Sequence, residues 1–263
     1  MDKNETISIR ELIRKIYPQD KRNFDSTALL LPLIRRISFY PTWLFIKIGV
    51  SANTVSFISL IFGLTGCLFL TGGDYISSVT GAILLNLWFL LDCVDGNIAR
   101  YNTPTRYGKF LDVIVGTILS GFILSCWGMG VYRNPDTALS YLFPYLWIDR
   151  SVYLVAGFLS SILLVLIMAV HSQFTTIFLI SKAPDDQKGF FEKELSKGWY
   201  SILYLIGWNI INFPGVVLIL LVSVIFKLST VAIIFLFLCY SLAFIVLTAG
   251  YIRKAKRDTE SGG

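Results

Sequence analysis

Six apolar runs set the limits on what this chain can fold into. They cover residues 50–70, 77–99, 110–130, 152–180, 199–226 and 229–252, each near or above the roughly 20 residues a helix needs to cross a bilayer. Backbone in hydrocarbon must satisfy its own polar groups, and a helix does so within one segment. The expected fold is therefore an all-α integral membrane protein with six transmembrane helices. With 55% of its 263 residues hydrophobic, the chain reads as one membrane domain over 50–252. The fourth and fifth runs are long and are expected to tilt or protrude. Gly207 and Pro214 invite a kink in the fifth, where Asn209 and Asn212 are available to freed backbone groups.

Residues 1–25 read as a cytosolic N-terminal arm. Within it Ile9, Leu12, Ile13 and Ile16 recur at helical spacing, as in a partner site or a helix packed on the domain. Residues 26–49 read as an interfacial amphipathic segment: Leu33, Ile34 and Ile37 lie beside Arg35 and Arg36, which suit acidic headgroups, and Pro32 and Pro41 interrupt it too often for a span. Residues 253–263 form a basic cytosolic tail. The polar start of the chain argues against a cleavable signal peptide. The four cysteines lie in apolar runs without CxxC spacing and read as buried small residues.

Basic residues set the orientation. With the N-terminus in the cytosol, only Arg133, Arg150 and Lys227 of the 23 fall on the far side. Both termini are thus expected to be cytoplasmic. The same asymmetry accounts for the net charge of +6 without nucleic acid as a partner.

Against this apolar background, residues 91–116 read LDCVDGNIARYNTPTRYGKFLDVIVG. Asp92 and Asp95, spaced i, i+3, share one helical face. Asp112 opens the next apolar run, and a helical hairpin would bring all three to one level. Carboxylates in a membrane protein are costly unless paired, wet or cation-bound. All-oxygen ligands without His or Cys suit Mg²⁺ or Mn²⁺, and carboxylate-bound Mg²⁺ usually serves a phosphate substrate. Gly96 and Gly108 permit close backbone approach, and Arg100 offers a donor fork that matches phosphate. Each Asp alone reads as a helix cap or an arginine partner; the whole set does not.

These residues resemble the CDP-alcohol phosphotransferase family. Its signature is D-x2-D-G-x2-A-R, about eight residues, then G-x3-D-x3-D, matched here by Asp92, Asp95, Gly96, Ala99, Arg100, Gly108 and Asp112. The connector, residues 101–107, is one residue shorter than usual, and Gly116 stands where the family has its fourth Asp, the proposed general base. The resemblance implies a six-helix membrane fold with a surface helix, and commonly a homodimer. It implies that Asp92, Asp95 and Asp112 hold metal near a CDP-linked donor, and that Asn53 and Ser56, which otherwise read as a helix cap, lie near the nucleotide. His171, the single histidine, sits about 28 Å along the fourth run, at cytoplasmic depth. It reads either as a packed or interfacial histidine or as a substitute base.

The leading expectation is a transferase that moves a substituted phosphate from a CDP-linked donor to a lipid or alcohol acceptor, releasing CMP. A catalytically impaired relative that binds CDP-lipid or nucleotide as a scaffold or sensor is the alternative, for which Gly116 argues. A transporter fits less well, because its acidic residues would sit at the midplane.

Overall fold

The protein was analysed as a computed structural model, which describes residues 8–18, 31–143, 145, 148–179 and 213–261. Residues 180–212, which include Gly207, Asn209, Asn212 and the first half of the fifth apolar run, lie outside the described residues, as do 1–7 and 19–30 of the arm and interfacial segment. Among the described residues the chain is helical throughout, without strands.

Helix α1 (Ile9–Ile16) starts with a capping box: Glu11 N–H donates to Ser8 Oγ, and Ser8 N–H donates to Glu11 Oε2 at 3.0 Å. Its buried Leu12 and Ile16 pack with Phe39, Trp43 and Tyr101, and the Lys15 ammonium lies 4.0 Å from the centre of the Tyr101 ring. Of the two readings of this stretch, the packed helix is the one observed. Helix α2 (Leu31–Lys47) is continuous through Pro41, where the sequence suggested a broken segment. Neighbouring turns hold it together despite the rung that proline removes.

Five long apolar helices follow the expected runs: α3 (Ala52–Leu70), α4 (Tyr75–Asn102), α5 (Arg106–Arg133), α7 (Ser151–Phe174, prolonged by a wide turn, Thr175–Leu179) and α9 (Ser229–Ser261). Helix α6 (Ala138–Leu142) is short, and α8 (Phe213–Ile225) is the described part of the remaining span. Pro214 lies at the edge of the described residues. The starts are capped: Ser51 accepts from Thr54 N–H, Asp74 from Ser77 N–H and Thr105 from Gly108 N–H.

Lipid-style packing joins the helices. Gly66 and Gly81 meet where α3 crosses α4, and Gly128 and Gly157 meet where α5 crosses α7; a Cβ on Gly157 would stand 2.6 Å from the Leu124 carbonyl oxygen. Large apolar side chains such as Ile61, Leu68, Phe122, Ile162 and Ile245 point outward to the bilayer. Helix α3 packs on both α4 and α5, whereas α4 and α5 touch each other little. The hairpin that carries the three carboxylates therefore opens away from its turn. That turn is tight: Thr103, between the two helices, has φ +85°, an outlier for a β-branched residue.

Candidate metal and phosphate site

Helix α4 is about 42 Å long at 1.5 Å per residue, so its last turns extend past a hydrocarbon core of roughly 30 Å. Asp92 and Asp95 lie near that end, in the last three turns of α4, and Asp112 lies in the second turn of α5 across the hairpin. The three carboxylates present oxygens that all fall within 4.8 Å of one another. Asp95 is buried, Asp92 half-buried and Asp112 exposed, a gradient that opens the cluster to one side. Carboxylate oxygens gathered this closely are placed to converge on one divalent ion. The donor set, oxygen only, fits a hard divalent cation.

Ser56 is part of this cluster. Its hydroxyl donates to Asp95 Oδ2 at 2.5 Å. Capping of α3 falls to Ser51, so neither Asn53 nor Ser56 is the cap that the sequence allowed. Asn53 lies across from the start of α5: a Cβ on Gly108 would stand 3.4 Å from Asn53 Oδ1 and 3.1 Å from Thr105 Oγ1. Gly108 thus keeps the α3 and α5 ends close together. Ala99 follows Asp95 by one turn on the same face, where a small side chain keeps the approach open.

Arg100 and Gly96 act on the other flank. A Cβ on Gly96 would sit 3.5 Å from Arg100 Nη1, so the guanidinium folds back over the glycine toward the carboxylates. Arg100 Nη2 donates to Asn97 Oδ1 at 2.7 Å. Arg35 departs from its expected headgroup role. It is buried and donates to the Cys93 carbonyl and to Asn97 Oδ1, because its face of α2 lies against α4; Arg36 is exposed.

Phe213 closes the inner side. Its ring packs edge-on to Trp88 at 5.1 Å, and a Cβ on Gly116 would stand 3.7 Å from its Cε2. Trp88 precedes Asp92 by one turn and Gly116 follows Asp112 by one turn, so Phe213 forms a floor between α4 and α5. The buried Trp88 indole N–H has no hydrogen-bond partner among the described residues.

His171 is not in contact with the carboxylates through any described hydrogen bond; its Nδ1 pairs with the Tyr251 hydroxyl on α9 at 2.7 Å. Helices α5 and α7 run antiparallel, with Gly128 against Gly157, Ser125 N–H to Ser161 Oγ and Ser120 Oγ to Met168 sulfur. Continuing that register brings His171 level with Gly116 and Thr117. Sequence reasoning missed Asn97, Phe213 and the inward turn of Arg35. Only Asn97, a polar residue inside an apolar helix, carried a signal.

Two comparisons bear on this arrangement. Residues 49–177 match the family model described as CDP-alcohol phosphatidyltransferase, a stretch that runs from the start of α3 to the end of α7 and includes every residue of the acidic cluster. No curated protein matches the chain.

Proposed function

Since residues 49–177 of this membrane protein belong to the CDP-alcohol phosphatidyltransferase family, we propose that it transfers a substituted phosphate from a CDP-linked donor to a lipid or alcohol acceptor. The observation that carries this reading is the convergence of Asp92, Asp95 and Asp112 within 4.8 Å at one end of the helix bundle.

Asp92, Asp95 and Asp112 would hold Mg²⁺ or Mn²⁺. When bound, the ion supplies positive charge for the diphosphate and the leaving phosphate. Ser56 holds Asp95 in orientation through its hydrogen bond. Arg100, folded over Gly96, offers the fork of donors that the diphosphate oxygens accept. Phe213 and Trp88 keep water from the inner side. The acceptor oxygen attacks the β-phosphorus, forming a new P–O bond. The bond from that phosphorus to the oxygen bridging it to CMP breaks, and CMP leaves with the electron pair.

The acceptor proton needs a destination. Gly116 offers none, and His171, level with it and oriented by Tyr251, is the side chain we assign to receive it. The positive charge at the loops supports a cytosolic position for this end of the bundle, within reach of a soluble nucleotide-linked donor and of inner-leaflet lipid.

Purified protein screened for CMP release with CDP-diacylglycerol and with CDP-alcohols, each against several acceptors, tests the reading. Release that requires both a divalent ion and an acceptor is expected. A second reading, a nucleotide-binding relative without turnover, draws on Gly116 alone. Saturable CMP binding with no release from any donor would select it.

A further inference from the structure

Asn97 occupies a variable position within the motif, the first residue after Gly96, and is fully buried. Its amide is used completely. Oδ1 accepts from Arg100 Nη2 at 2.7 Å and from Arg35 Nη1 at 3.3 Å, and Nδ2 donates to Ser38 Oγ at 2.9 Å and Thr42 Oγ1 at 3.0 Å. The two hydroxyls are acceptors here because each spends its own proton within α2, Ser38 on the Arg35 carbonyl and Thr42 on the Ser38 carbonyl. One side of the amide thus faces two cations and the other faces two lone pairs. Among side chains of this size, only an amide meets both without leaving a buried group unsatisfied.

We propose that Asn97 is a positioning residue that ties the Arg100 guanidinium to helix α2, so that the grip on the donor diphosphate depends on how α2 is seated. The proposal rests on the transferase reading, in which Arg100 meets the diphosphate. A guanidinium is planar, so fixing Nη2 fixes the plane in which its other donors are presented. Arg35, Ser38 and Thr42 supply the anchor from α2. Removing the amide leaves Arg100 in the site but without its tie to α2, which costs affinity for the donor before it costs chemistry.

The test uses the full chain in nanodiscs, with the CDP donor identified by the release screen, and with CMP plus Mg²⁺ as a binding probe. Asn97→Ala is expected to raise donor KM roughly ten- to hundredfold, as for a lost hydrogen bond to a charged group, with kcat changed about threefold or less. Asn97→Asp keeps an acceptor for both arginines but has no donor for Ser38 and Thr42, so it is expected to raise donor KM in the same direction as Asn97→Ala. Ser38→Ala with Thr42→Val is expected to shift KM in the same direction as Asn97→Ala. In an Arg100→Lys background, Asn97→Ala is expected to add little, since the two act as a unit.

A full KM effect that persists in the Arg100→Lys background overturns the proposal. So does a Ser38/Thr42 pair that lowers the melting temperature and leaves KM untouched. If Asn97→Ala does not fold, Asn97→Asp and the Ser38/Thr42 pair decide alone. A parent protein that neither binds CMP nor releases it removes the transferase reading and this proposal with it. An active parent with an unaltered Asn97→Ala variant removes this proposal only.

Discussion

The Ser56 hydroxyl on α3 donates to Asp95 Oδ2 on α4, joining two helices at the acidic cluster. This bond occupies one oxygen of the carboxylate and fixes its orientation within the cluster. Outer-sphere partners of this kind typically tune metal affinity 10–100-fold. Ser56→Ala is therefore expected to raise the Mg²⁺ concentration for half-maximal CMP release by about that factor, with maximal turnover largely retained at saturating ion. An unchanged Mg²⁺ titration would show the bond to be structural only.

Substitution of the ligands themselves is expected to act differently. Asp92→Asn and Asp95→Asn each remove a charge from a site with three, and CMP release is expected to fall below detection while helical content and the melting transition in detergent persist. A chelator should do the same to the parent protein, reversibly on adding Mg²⁺ or Mn²⁺. Full turnover in chelator contradicts the metal assignment.

Gly116 and His171 form a second pair to test. A Cβ at Gly116 fits, with Phe213 Cε2 at 3.7 Å as its nearest neighbour, so Gly116→Ala is expected to keep turnover within a few-fold. Gly116→Asp sets a charge beside the phenyl ring and fills acceptor space, and is expected to lower turnover. His171→Ala should cost about 10²–10⁴-fold with a neutral alcohol acceptor, the usual loss on removing a general base. Near-parental turnover in His171→Ala would mean that the acceptor arrives already ionised. A strong gain in Gly116→Asp would instead mark the natural protein as an impaired relative.

The α5–α7 crossing predicts a packing contrast. Gly157→Val drives a side chain into the Leu124 carbonyl and the Gly128 backbone and is expected to destabilise by about 1–3 kcal/mol. Gly121→Ala meets nothing within 4 Å and is expected to be neutral or slightly stabilising. Thermal unfolding in one detergent, measured side by side, decides. Equal melting temperatures would contradict the close approach.

Orientation is tested by single cysteines introduced at Lys47, Lys109, Arg133 and Arg253. A membrane-impermeant thiol reagent applied from the cytosolic side is expected to label all but the Arg133 position. Any split among Lys47, Lys109 and Arg253 defeats the proposed topology.

Much of this architecture was legible because bilayer chemistry leaves few options. Apolar runs of about 20 residues become helices, and the starts of α3, α4 and α5 fall within a few residues of the expected spans. The carboxylate cluster was legible because charged residues are rare and costly in such runs. What sequence could not reveal depended on rotation about helix axes. Arg35 and Arg36 are neighbours with the same chemistry, yet one is buried against α4 and the other is exposed. Phe213 is one aromatic among 20 phenylalanines, and its contact with Gly116 is set by the distant packing of α8 on α4. Ser56 read as a cap because Ser51, five residues earlier, competes for that role with the same side chain.

The short connector has a mechanical consequence. Thr103, held at φ +85°, stores strain of about 1–3 kcal/mol in a link with no slack. Three carboxylates with no cation between them push one another apart, and a loose link would let α4 and α5 splay until that push faded. A taut one works as a brace: it sets the width of the mouth before anything enters and returns it to that width after the product leaves. The entropy of bringing the two aspartates of one helix to the third on the other is then spent during folding of the hairpin and not in each catalytic cycle.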